Sequence, residues 1–237
     1  KLTRFSSSGE VVRAGFATSI DMLSFANWLY ANGGSFYDSS FRQLEVASQA
    51  GVEALEFLAE LRSLGQVLPP GGGNPLASGR AAMYLGGTFH GHIIFNEAPD
   101  LRFAVTSLPP GPSGTERAVM GWVNMMSIPS GAKNPDLAWE YLKYYTGLEG
   151  QVDIIEIHKR PGAPRYDFYQ TAAWENAVRE YPYLANVPDV FQTAKPYPFI
   201  NYSDLSAIFA PLMAQVARGE LAHRQALEEA QRRGNLV

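Results

Sequence analysis

Residues 120–143 read Met120-Gly121-Trp122-Val123-Asn124-Met125-Met126-Ser127-Ile128-Pro129-Ser130-Gly131-Ala132-Lys133-Asn134-Pro135-Asp136-Leu137-Ala138-Trp139-Glu140-Tyr141-Leu142-Lys143. Two periods follow each other in this stretch. From Trp122 to Ile128 the pattern alternates, so Val123, Met125 and Ser127 would face one way and Trp122, Asn124, Met126 and Ile128 the other, as on a strand. After the turn residues Pro129 to Gly131 the period changes to that of a helix. Asn134 is a good N-cap and Pro135 suits the first helical position. Ala138, Tyr141, Leu142 and Tyr145 then predict a buried stripe, and Gly147 ends the segment. A strand running into a capped helix is the unit of an α/β architecture.

The rest of the chain repeats the alternation. Ser6 to Gly9 marks a turn in a hairpin over 1–16. Ile20, Leu23, Ala26 and Leu29 predict a helix over 18–31, stopped by Asn32-Gly33-Gly34. Val52, Leu55, Leu58, Leu61 and Leu64 predict another over 49–64, ended by Gly65. Ala81 to Leu85 and Leu101 to Thr106 read as short strands, and the Pro/Gly-rich stretch from Leu108 to Thr115 as a loop or strap. Late in the chain a short helix is expected from Thr171 to Arg179. Another is expected after a Ser203 cap, kinked at Pro211 and closed by Gly219, and a last one over 222–232.

Composition narrows the function. With 46% hydrophobic and 18% charged residues over 237 positions, the chain can bury a core. Asp plus Glu number 23 against 19 Lys plus Arg, and the net charge of −4 argues against a surface built for nucleic acid. The absence of Cys excludes disulfides, thiolate metal sites and Cys nucleophiles. No apolar run reaches the ~18 residues of a membrane helix.

Few motifs speak for catalysis. Gly71-Gly72-Gly73 lies between Pro69-Pro70 and Asn74-Pro75 and reads as a loop rather than a phosphate cradle. His90 and His92 would share a face on a strand and could bridge a metal, yet no third ligand is evident, and two polar loop residues is the simpler reading. There is no Gly-x-Ser-x-Gly elbow. Glu97, Asp100, Glu116 and Asp153 are available for a glycosidase pair, but nothing singles out two. The aromatic residues are more telling. Trp28, Tyr84, Phe89, Trp122, Tyr197, Phe199 and Tyr202 stand beside Asn, Arg or Gly outside the obvious core helices. Any one aromatic is more often core than ligand surface. Together they suit a sugar, whose C–H faces stack on rings while its hydroxyls pair with Asn, Asp and Arg.

Five segments, in order, resemble the family 1 extracellular solute-binding proteins, the sugar-capturing subunits of bacterial ABC importers. These are Phe25 to Gly34 with its Trp28 and Gly33-Gly34; Ser78-Gly79-Arg80-Ala81-Ala82-Met83 ending in Gly86-Gly87; Met120-Gly121-Trp122; Ile128 to Lys143; and Gly219-Glu220 with Gln225-Ala226-Leu227. The resemblance implies an α/β, periplasmic-binding-protein-like (type II) fold, mainly the C-terminal lobe plus a segment returning to the N-terminal lobe. Residues 1–120 and 173–237 would form the C-terminal lobe, and residues 121–172 the returning segment. The family's members are longer, so the chain looks like their C-terminal part. Its returning segment would then pack on the absent N-terminal part or on a second copy.

The function implied is reversible capture of a carbohydrate in an interlobe cleft and delivery to membrane permease subunits, outside the cytoplasm, with a lipoprotein tether possible. No catalysis, cofactor, metal or nucleic acid is implied. Carried over by position, the substrate-binding residues would be Asp21, Ser24 and Trp28 at the first helix; Thr88 and Phe89 after the paired glycines; Gly121 and Trp122; Arg160 and Arg165; and Tyr197, Asn201 and Tyr202 before the late helix. Binding by this chain alone is expected to be weak or absent. A polyol or glycerol-phosphate ester is an alternative ligand. A carbohydrate-active hydrolase using a carboxylate pair and a scaffold without small ligand are the alternatives of other classes.

Overall fold

The computed structural model describes residues 2–63, 68, 71–158 and 165–237. The chain divides into two compact units. One comprises Lys1–Gly86, Ser107–Gly121 and Thr193–Val237, the other Gly87–Thr106 and Trp122–Gln192. Residues 87–106 and 173–192 therefore pack with the 122–172 stretch, whereas the expected lobe segments separated them from it.

Among the described residues, the first unit is built on four helices. α1 (Met22–Ala31), α2 (Gln49–Ser63), α8 (Tyr202–Ala217) and α9 (His223–Gly234) share one core. Phe25, Leu29, Phe36, Leu55, Leu58, Phe209, Met213 and Leu227 are among its fully buried side chains. Phe36 stacks on Phe209 at 5.6 Å, and Phe25 lies 6.4 Å from the same ring. α1 starts where Asp21 accepts the amide hydrogen of Ser24 at 2.7 Å. It ends at Asn32, followed by Gly33 at φ +79°, a left-handed conformation that favours glycine. Asn201, not Ser203, is the residue preceding α8. It sits in the left-handed region at φ 49° and makes no side-chain cap. Pro211 stands inside α8.

Its strands are short. The expected hairpin forms as β1 (Arg4–Phe5) antiparallel to β2 (Val11–Arg13), with Gly9 at φ +82° in the turn. β3 (Val119–Gly121) runs parallel to β4 (Ala194–Pro196). The strand expected over Ala81 to Leu85 is reduced to two isolated bridges, Ala14 to Ala81 and Ala17 to Tyr84. Gly71 to Gly73 is indeed a loop, and Arg80 holds it, donating to the carbonyls of Gly72 (3.1 Å) and Gly73 (2.9 Å).

The second unit contains α3 (His90–Glu97), α4 (Pro135–Thr146), α5 (Leu148–His158), α6 (Ala172–Glu180) and α7 (Val187–Gln192), with single 3₁₀ turns at Tyr166–Gln170 and Pro182–Asn186. Its core is aromatic: Phe168, Trp174, Tyr181 and Tyr183 pack with Ile155, Leu184 and Val187. The expected strand from Leu101 to Thr106 does not form. Phe103 instead stacks on Tyr183 at 4.8 Å, and the carbonyl of Val105 accepts from the Asn186 side chain at 3.0 Å, so this segment is held by side chains rather than by a ladder.

The stretch that opened the sequence reading shows the largest departure. α4 has the bounds, the Asn134 cap and the N-terminal proline expected of it. None of its residues is buried, however, and Tyr141 and Tyr145, half of the predicted stripe, are exposed. Trp122 to Ile128 forms no strand, with Val123 at 59% and Met125 at 89% exposure. The reason is the same for both. A strand exists only when a neighbour completes its hydrogen bonds, and an apolar helix face is buried only when a layer covers it. Among the described residues no strand pairs with Trp122 to Ile128.

Candidate functional site

The inferred binding residues fall into both units. In the first unit, Asp21 and Ser24 are engaged locally. The Asp21 carboxylate takes the Ser24 amide and the Ser19 hydroxyl, and the Ser24 hydroxyl lies 3.1 Å from that of Ser19. Trp28 is only 8% exposed. Its indole is packed edge-on against Phe16 at 6.1 Å and Phe57 at 4.9 Å, which places it in the core. Its ring nitrogen is buried without a hydrogen-bond partner among the described residues.

Gly121 ends β3. A methyl group there would come within 2.6 Å of the Ala194 side chain, so the close β3–β4 approach requires glycine. The Gly121 carbonyl accepts from the Tyr197 amide at 3.1 Å and carries the chain into an aromatic turn. There Tyr197 and Tyr202 stack at 5.5 Å. Burial first, then the hydrogen bond to Tyr202, push the Tyr197 phenol up to about 12. Asn201 lies between the two, and Phe199 is 63% exposed. Tyr197 and Tyr202 are thus brought together, and Asn201 immediately precedes Tyr202.

In the second unit, Thr88 and Phe89 lead into α3. The Thr88 carbonyl accepts the Gly91 amide at 3.1 Å. Phe89 and Trp122 are half exposed and meet edge to face with ring centres 6.4 Å apart. His90 lies 4.2 Å from the Phe89 ring. Burial lowers the His90 pKa, which keeps this imidazole neutral at neutral pH. His90 and His92 sit on a helix rather than on a strand or loop. Two positions apart there, they point to different sides, so the shared face a metal would need is not formed. Among the described residues no group of three or more His, Asp or Glu gathers to hold a metal.

Arg165 makes a two-pronged pair with Asp167, at 3.0 and 2.7 Å, and its charge is balanced there. Arg160 lies outside the described residues.

Sequence reasoning missed several residues that set up these surfaces. Asn27 on α1 accepts the Met120 amide at 3.0 Å and donates to the Leu23 carbonyl, tying α1 to β3. Tyr30 and Tyr37 donate to the carbonyls of Pro196 (2.7 Å) and Ile200 (3.2 Å). The available signal was a polar atom on an otherwise apolar stripe, since a buried polar group must find a partner.

A cavity of about 500 Å³ in the first unit is lined by residues that include Tyr30, Tyr37, Phe41, Glu116 and Lys195. It excludes every inferred binding residue. No described helix is long and apolar enough to cross a membrane.

A sequence profile of a bacterial extracellular solute-binding protein family matches residues 8–181. No curated protein matches by sequence. Solved structures do match in fold. The maltose/maltodextrin-binding domain MalE from Bdellovibrio bacteriovorus, bound to maltotriose, superposes with a TM-score of 0.76 at 18% identity, covering 99% of this chain and 63% of that one. A solute-binding protein of an ABC transporter from Thermotoga lettingae, bound with α-D-tagatose, gives 0.71 at 22% identity, covering 94% and 59%. The cyclic α-maltosyl-1,6-maltose binding protein from Arthrobacter globiformis gives 0.73 at 19% identity, covering 94% and 59%. The chain spans less than two thirds of the length of these structures.

Proposed function

Because the chain belongs to the bacterial extracellular solute-binding proteins, we propose that it binds a carbohydrate reversibly for an ABC importer, whose membrane permease receives the sugar. The observation that carries this reading is the pairing of partly exposed aromatic rings, Phe89 with Trp122 and Tyr197 with Tyr202, beside the ends of helices and strands. Partly exposed rings offer a C–H-stacking face, and neighbouring amides and hydroxyls offer hydrogen bonds. The fold neighbours bound to maltotriose and to tagatose support a sugar as ligand. Binding makes and breaks no bond, and the inferred residues supply contact and orientation only. Pairing of Arg165 with Asp167 favours a neutral saccharide over a phosphate ester.

The same reading assigns the first unit to the C-terminal lobe. It assigns the stretch from Trp122 onward to the segment that returns to the N-terminal lobe, whose other strands would pair with residues 122–128 and cover α4. The protein acts outside the cytoplasm, and a lipoprotein tether would hold it near the permease.

Titration of this chain with neutral saccharides, polyols and glycerol phosphates, followed by NMR, tests the reading. Weak, saturable shifts at Phe89, Trp122, Tyr197 or Tyr202 with saccharides are expected. Saturable shifts only with glycerol phosphates, or saccharide shifts confined to other surfaces, would overturn it.

A further inference from the structure

The turn between β4 and α8 carries Tyr197 and has backbone bonds from the Tyr197 amide to the Gly121 carbonyl (3.1 Å) and from the Phe199 amide to the Tyr197 carbonyl (2.8 Å). Pro196 and Pro198 have no amide hydrogen to donate. Ala194, Lys195, Pro196 and Phe199 are exposed, and the cavity of about 500 Å³ adjoins Lys195 and Pro196. Pro198 is buried and Ile200 packs on the core. Two phenols hold the carbonyls on either side. Tyr30, from the last turn of α1, donates to the Pro196 carbonyl at 2.7 Å, and Tyr37, from the loop after α1, donates to the Ile200 carbonyl at 3.2 Å. Both tyrosines are 6% exposed. The two bonds fall on either side of residues 197–199, and each spans more than 160 positions of sequence.

We infer that Tyr30 and Tyr37 are positioning residues, which clamp the two ends of this turn so that the Tyr197–Tyr202 pair is presented in a fixed stack. The inference rests on the carbohydrate reading for its consequence, since a pre-set aromatic pair binds without paying to order itself. Burial raises both phenols above the ordinary tyrosine range, so they stay protonated and remain donors at any pH the protein meets.

The test removes one oxygen at a time. Tyr30→Phe, Tyr37→Phe and the double variant are prepared in the full chain with ¹³C-labelled aromatic rings. The expected result is loss of the close ring contact between Tyr197 and Tyr202 while the contact between Phe25 and Phe209 in the core persists. Maltotriose, the probe, should bind about fivefold more weakly to each single variant, the effect of one lost hydrogen bond. An unchanged Tyr197–Tyr202 contact in the double variant would overturn the clamp, whatever happens to the sugar. Tyr197→Ala and Tyr202→Ala test the underlying reading separately. If these leave maltotriose binding intact while the phenylalanine variants still loosen the stack, the clamp stands and its role in carbohydrate binding falls. Should Tyr30→Phe unfold, Tyr37→Phe carries the same readouts.

Discussion

Replacing Asn32 by Leu should destabilise the first unit by about 2–3 kcal/mol, because an unpaired Ser113 amide and the bonds lost to Ala50 and Glu53 outweigh the added apolar burial. Asn32 closes α1 and is 2% exposed. Its amide group donates to the Ala50 carbonyl and to Glu53, both at 2.9 Å, and its oxygen accepts the Ser113 amide at 3.0 Å. Leucine has a similar volume but leaves the Ala50 carbonyl and the Ser113 amide without this partner. The Pro/Gly strap from Leu108 to Thr115 is fitted around this side chain. A methyl group on Gly111 would lie 2.2 Å from the Asn32 oxygen, and one on Gly114 would lie 2.2 Å from the Ala31 carbonyl. At 2–4 °C per kcal/mol for a protein of this size, the first unit's midpoint should fall by roughly 4–12 °C. Calorimetry measures this directly, and a shift below about 1 °C would refute the reasoning. The pH dependence gives an independent check. Hydrogen bonds from Ser113, then Asn32 and Gln49, hold the Glu53 carboxyl below its usual 4.5. A depressed folded-state pKa stabilises above the unfolded value and loses that contribution as pH falls through the folded one. Loss of the Asn32 donor should flatten the acid limb of the stability curve below pH 4.5.

Three further outcomes are expected. Phe209→Ala removes a fully buried ring that packs on Phe25 and Phe36, and should cost about 3–5 kcal/mol in chemical denaturation of the first unit. Thr171→Ala removes the hydroxyl that accepts the Trp174 amide at 3.2 Å at the start of α6, and should cost about 1 kcal/mol, with amide exchange accelerating around Trp174 first. Met125→Glu and Trp139→Glu alter side chains that are 89% and 55% exposed, so stability should stay within about 0.5 kcal/mol while light scattering shows less self-association. A large loss of stability would mean that these residues are covered in solution.

Local order was legible wherever the cause was local. Asn134 and Pro135 start α4, Thr171 starts α6, Gly33 ends α1, and Gly9 turns the first hairpin, because each acts within a few residues of its own backbone. Helices of mixed pattern, such as His90–Glu97 and Leu148–His158, escaped that reading because their apolar periodicity is interrupted by glycine and polar residues. Tyr197 and Tyr202 stack across the residues between β4 and α8, so their proximity follows from their closeness in sequence. The setting of Trp28, buried against Phe16 and Phe57, could not be read from its neighbours in sequence.

The sequence by itself determined where α4 and α6 begin, where α1 ends, and that a core would form. Caps, turns and periodicity are short-range, and composition is summed over the chain. Only the tertiary structure decided which apolar faces are buried and which strands exist, since both depend on a partner distant in sequence. Among the described residues, Trp122 to Ile128 has the pattern of a strand and no ladder, α4 has an apolar stripe with no buried residue, and Tyr30 and Tyr37 find their acceptors at Pro196 and Ile200, more than 160 residues away. Pattern states what a segment can bury or bond, and the arrangement of the rest of the chain sets whether it does.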